Sequence, residues 1–139
     1  MPDDTIASRA EKLAALPLFE GLSKTALRDV ARLLMPFEAE SGRLLTRVRT
    51  AGMGLFIIDE GTVVADLRGK QAEIGPGEFF GELALLDERA VRTVSVRAKT
   101  DVTGYVLARD DFDKILRDQP KVALSMLRAL ARRFADRLS

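Results

Sequence analysis

Apolar residues at positions 6, 7, 10, 13 and 14 recur at helical spacing and predict a first helix over 6–16, ended by Pro17. Leu18-Phe19 forms a short apolar plug and Gly21 turns the chain. Ser23 is a good N-cap for a second helix, with Leu27, Val30, Ala31 and Leu34 on its inner face and Pro36 at its close. From 35 to 108 the period shortens. Strand-like runs over 37–40, 43–49, 54–59, 62–67, 71–74, 94–98 and 102–107 are separated by turn residues at Ser41-Gly42, Glu60-Gly61, Arg68-Gly69-Lys70 and Gly75-Pro76-Gly77. Many short strands at this spacing predict an antiparallel sandwich or roll. Asp110-Asp111 then reads as an acidic helix start, with Phe112, Ile115 and Leu116 inside. Pro120 opens a last helix carrying a heptad-like stripe of Leu124, Leu127, Ala131, Phe134 and Leu138, widened by Met126 and Leu130. Arg128, Arg132, Arg133 and Arg137 form its wet side.

The stretch 77–98, GEFFGELALLDERAVRTVSVRA, carries the candidate chemistry. Two glycines bracket an acidic and aromatic turn, Gly77 to Gly81, and a very short apolar helix over 82–86 follows. The first backbone N–H groups of that helix, at Glu82, Leu83 and Ala84, have no intrahelical partner and form an anion site with the helix dipole. Gly81 lets the backbone come close to a phosphate. Arg92 adds a charged fork that matches two phosphate oxygens, and Thr93 a hydroxyl donor. A carboxylate beside a phosphate is repelled, so Glu82 fits only if it reaches past it to accept from a sugar hydroxyl. A cyclic nucleotide presents that pair, an anionic ring phosphate next to a free 2′-hydroxyl. Taken singly, Glu82 reads as a solvated carboxylate and Arg92 as a surface charge.

GELALL, a spacer, Arg92-Thr93 and VSVRAKT resemble the phosphate-binding cassette of the cyclic nucleotide-binding domain family, the type found in bacterial catabolite activator protein and the regulatory subunit of protein kinase A. LPLFEGLSKTALRDVARLL before it and RDDFDKILRDQP behind extend the resemblance over nearly the whole chain. It implies an α+β fold and a single domain over 1–139. Residues 1–34 would be the N-terminal helical part and 35–108 an antiparallel β-roll (jelly roll) holding the cassette 77–98. Residues 109–139 would supply two C-terminal helices. The implied ligand is cyclic AMP, with cyclic GMP as the alternative suggested by Thr93, and no other cofactor. The implied ligand-binding residues are Gly81, Glu82, Leu83, Ala84, Arg92 and Thr93, with Arg137 reaching the base from the last helix. That helix would transmit binding, by moving about the 118–120 bend or by pairing with its copy in a homodimer. The turn 48–52 departs from the family pattern, since Arg49 stands where a glycine is expected.

Composition narrows the function classes. With no cysteine and no histidine, disulfides, nucleophilic thiols, common zinc sites and Ser-His-Asp catalysis are excluded. No nucleophile–base pair is in view, so an enzyme is not expected, and no metal site is. The net charge of +1 gives no bulk case for nucleic acid or membrane. No apolar run approaches the ~20 residues needed to span a bilayer. The polar N-terminus is no signal peptide, so the cytoplasm is the expected location. The sequence ends at Ser139 without a DNA-reading element. Three readings stay open: a free-standing sensor, the regulatory piece of a longer transcription factor, channel, transporter or enzyme, and a protein-interaction module whose degenerate cassette binds no nucleotide.

Overall fold

Among the described residues, turn glycines divide the middle of the chain into eight short strands: β1 (Met35–Ala39), β2 (Leu44–Thr46), β3 (Leu55–Glu60), β4 (Val63–Leu67), β5 (Lys70–Ile74), β6 (Phe79–Phe80), β7 (Val94–Ala98) and β8 (Val102–Leu107). They form two four-stranded antiparallel sheets, ordered β1-β8-β3-β6 and β2-β7-β4-β5. The computed structural model describes residues 5–46, 54–67, 69–81 and 94–138. The chain divides into two compact units, residues 34–112 and residues 1–33 with 113–139.

In the strand unit the two sheets close on one apolar core. Phe56, Ile58, Phe80, Val102 and Ala39 come from the first sheet, and Val63, Ile74, Val96 and Ala98 from the second. Alternation sorts these side chains, because every second residue of a strand faces the same way. β3 departs from alternation: Leu55, Phe56, Ile57 and Ile58 are all buried, as befits an inner strand between β8 and β6. Phe56 stacks on Phe80 at 4.6 Å between centroids and meets Phe37 edge-on at 5.3 Å. Such pairs contribute about 0.5–1.5 kcal/mol beyond burial.

One end of the roll is tied by polar bonds between turns. Ser41 N–H donates to Asp101 Oδ1 and Ser41 Oγ to the Lys99 carbonyl, each at 2.9 Å. Arg97 donates to the Gly42 carbonyl at 2.6 Å, and Thr62 N–H to Thr100 Oγ1 at 3.0 Å. At the far end of β4, Asp66 Oδ1 accepts from Gly69 N–H at the expected β4–β5 hairpin, where Leu67 pairs with Lys70.

The helical unit follows its periodicity and caps. α1 (Ile6–Ala14) opens with a reciprocal cap, Ser8 N–H to Thr5 Oγ1 at 3.0 Å and Thr5 N–H to Ser8 Oγ at 2.9 Å. Ser23 caps α2 (Lys24–Leu33) as expected, accepting from Ala26 N–H at 3.1 Å. The Leu18-Phe19 plug lies in a 3₁₀ turn, Pro17–Phe19, with both side chains buried. α3 (Arg109–Asp118) begins with Asp110 and Asp111 in its first turn and buries Phe112 and Ile115. The boundary between the two units falls within it, after Phe112. α4 (Pro120–Leu138) packs on the 3₁₀ turn, and Lys121 Nζ donates to the Gly21 carbonyl at 3.0 Å. Among the described residues, no helix is long and apolar enough to cross a membrane.

Four local expectations change. Pro36 does not close α2, which stops at Leu33; it sits in β1, an edge strand that can spare a backbone donor. Phe79-Phe80 is a strand and not part of a turn, since it pairs with Ile57 and Phe56 of β3. The inner face of α4 is Val122 and Met126, whereas Leu124, Leu127 and Phe134 are exposed by 47%, 64% and 66%. Arg133 is half-buried and not on the wet side with Arg128 and Arg132.

Gly104, at the middle of β8, gives a test of the packing. A Cβ there would run into the Ile57 carbonyl oxygen and lie 2.7 Å from the Phe37 ring. Overpacking of this kind costs about 1–3 kcal/mol. Gly104→Ala should therefore lower the melting temperature by several degrees, while Gly69→Ala, with open space around its Cβ, should lower it less.

Candidate functional site

The described residues hold both ends of the 77–98 cassette. Its entry is fixed by a dense set of backbone bonds. Gly77 N–H donates to the Ile58 carbonyl at 2.8 Å, and Ile58 N–H to the Glu78 carbonyl at 2.9 Å. Glu78 N–H bonds back to the Gly75 carbonyl at 3.1 Å, and the Glu78 carboxylate accepts from Gly75 N–H at 2.9 Å. Glu78 therefore shapes the loop from inside it. Phe79 and Phe80 then pair with β3, and the Phe56–Phe80 stack anchors the strand in the core.

Gly81 follows at φ +96°, a conformation that side chains rarely adopt. A Cβ on it would lie 2.5 Å from the Gly54 carbonyl oxygen and 3.5 Å from Phe56 Cδ1. The position is thus glycine for two reasons, backbone conformation and lack of room. The exit is fixed on the other sheet: β7 is an inner strand, pairing Leu67 with Val94 on β4 and Leu44 with Arg97 on β2. The described chain leaves the first sheet at Gly81 and is next described in the second sheet, at Val94.

Of the ligand residues expected from sequence, the structure places Gly81 as the point where the chain leaves β6. Glu82, Leu83, Ala84, Arg92 and Thr93 lie outside the described residues, as does the 48–52 turn with Arg49. Arg137 belongs to α4, in the helical unit, and its side chain is outside the described set. Gly54 was not among the expected site residues, yet it is the backbone against which Gly81 rests. A glycine directly before the apolar run LFII is its only trace in the sequence. Among the described residues no group of three or more His, Cys, Asp or Glu could hold a metal ion.

Residues 36–119 match the family model of the cyclic nucleotide-binding domain. Acetyltransferase Pat of Mycolicibacterium smegmatis is 41% identical over 113 residues, 78% of this chain and 34% of its own length. A cyclic nucleotide-gated potassium channel of Rhizobium etli is 34% identical over 122 residues, 87% of this chain and 34% of its own. Among solved structures, a cAMP-binding acyltransferase from Mycobacterium smegmatis superposes with a TM-score of 0.73 at 33% identity, covering 97% of this chain and 43% of that one. The chain thus spans about a third of the length of these two curated relatives.

Proposed function

The chain belongs to the cyclic nucleotide-binding domain family, and we propose that it is a regulatory domain whose 77–98 cassette binds cyclic AMP. The observation that carries this reading is the seat of Gly81. The chain enters the cassette at a residue with no side chain and no room for one, its entry strand locked to β3 by pairing and an aromatic stack. A backbone held this way gives the N–H groups of Glu82, Leu83 and Ala84 a fixed starting point from which to meet a phosphate. Arg92 supplies the neutralising charge, Thr93 a hydroxyl, and Glu82 accepts from the ribose 2′-hydroxyl. Cyclic AMP is preferred to cyclic GMP because the acyltransferase that this chain resembles over 97% of its length is described as cAMP-binding.

A regulatory role is supported by the company such a domain keeps. An acetyltransferase and a gated channel share it with this chain, each through 34% of its own length. The signal is read out through α3 and α4. Phe112, fully buried, is the last residue of the strand unit, and the next residue of the same helix belongs to the helical unit. A change in Phe112 packing when the cassette closes on ligand therefore reaches the helical unit through a single helix.

The partner of α4 is a second copy of the chain. Leu124, Leu127, Ala131 and Phe134 form an exposed stripe at 3-4-3 spacing. In a parallel pair with these residues at the seam, the flanking positions set Ala123 against the other copy's Arg128 and Leu130 against its Ala135. No like charges oppose each other. Light scattering should give a dimer for the wild-type chain, and Leu127→Glu should halve the mass with the fold intact by circular dichroism. A monomeric wild type at ~100 μM removes the second copy.

For the ligand, calorimetric titration should show cyclic AMP binding at micromolar or better affinity, tighter than cyclic GMP. Losing one partner of a buried charge pair costs roughly 2–5 kcal/mol. Arg92→Ala should then weaken binding about thirty-fold or more by that figure. An affinity within threefold of wild type takes Arg92 out of the site, and tenfold tighter cyclic GMP reverses the choice of base.

A further inference from the structure

We infer that Gly54 is a positioning residue for the cassette: its backbone is the spacer that sets the distance between Gly81, where the chain leaves β6, and the Leu107–Ala108 step, where β8 passes into α3. The inference rests on the reading of 77–98 as the ligand cassette. On one side, the Gly54 carbonyl oxygen fills the place of a side chain on Gly81, 2.5 Å from the ideal Cβ position. On the other, a Cβ on Gly54 itself would run into the Leu107 carbonyl oxygen and lie 3.2 Å from Ala108 Cα. Gly54 also has φ +144°, so a side chain there is excluded by conformation as well as by space. Ala108 in turn accepts the first bond of α3, from Phe112 N–H at 2.8 Å.

The result is a row of backbone groups with little slack, from Gly81 through Gly54 to Leu107 and Ala108. Its lateral position is held by strand pairing, Phe56 with Phe80 and Leu55 with Leu107. Backbone packed this closely moves as a body or not at all. A displacement of Gly81 on ligand binding is therefore passed to the start of α3 through main chain, with no mobile side chain in between. Gly54 acts on the ligand through Gly81 and touches no part of it.

Two glycines separate this from the general strain of a substituted turn. Gly42 and Gly69 have φ +89° and +83°, yet nothing lies within 4 Å of a Cβ on either. Alanine at those positions brings the conformational cost without the contact. The test compares hydrogen exchange in nucleotide-free wild type, Gly81→Ala and Gly69→Ala, with the Ala65 amide of β4 reporting global opening. In Gly81→Ala, exchange at the Phe112 amide should rise at least tenfold more than at Ala65, while in Gly69→Ala the two should change together. Equal changes at Phe112 and Ala65 in Gly81→Ala overturn the spacer. Titration with cyclic AMP supplies the second arm: Gly54→Ala should bind at least tenfold more weakly than Gly69→Ala, and affinities within threefold also overturn it. If Gly54→Ala does not fold, the exchange comparison decides. If the wild type binds no cyclic AMP, the functional reading fails, and the exchange comparison still tests the spacer.

Discussion

The approach of one backbone to another, Gly81 on Gly54, is the constraint on which the rest of the strand unit depends. It requires glycine at 81, beside the pairing of β6 with β3, while Gly54 is glycine for a different contact, with the Leu107 carbonyl. Two paired residues are a weak strand by themselves. The Phe56–Phe80 stack and the bonds among Gly75, Gly77, Glu78 and Ile58 hold those two residues where pairing alone would not. The cassette thus starts from a point built by packing, while its far end, β7, is fixed as an inner strand of the second sheet.

That arrangement fits the binding role proposed for the cassette. Backbone donors at a fixed place recognise an anion by position and charge, and a site of this kind needs no nucleophile and no proton carrier. The chain passes between the two units twice, at 33–34 and within α3 at 112–113. α3 starts in the strand unit and ends in the helical unit, with Phe112 as the last residue on the near side. A ligand shifts such a system only by binding one arrangement better than the other.

Much of the fold was legible in the sequence because its signals are local. Ser23 as a cap, Asp110-Asp111 as a helix start, Pro120 as a helix opening and the Gly69 hairpin all act within four residues of themselves. β6 was not legible, since two residues cannot display alternation and Phe79-Phe80 is defined only by what it pairs with. Pro36 was misread for a related reason: a proline stops a helix or tolerates an edge strand, and only the sheet order decides which. On α4 the heptad stripe was real, but Val122 and Met126, on another face of the helix, are the residues the fold buries. A close backbone approach at Gly81 was legible from glycine between an aromatic pair and an apolar run, and the neighbour there is the Gly54 carbonyl. Gly54 itself was not legible, because its role comes from strands far apart in sequence.

A crystal structure of the chain grown with cyclic AMP decides whether the 77–98 cassette is the ligand site. The ring phosphate should lie within hydrogen-bond distance of the backbone N–H groups of residues 82–84 and of the Arg92 guanidinium, with the Glu82 carboxylate on the 2′-hydroxyl and Gly81 still against the Gly54 carbonyl. A nucleotide bound elsewhere, or a cassette empty at saturating cyclic AMP, would contradict it.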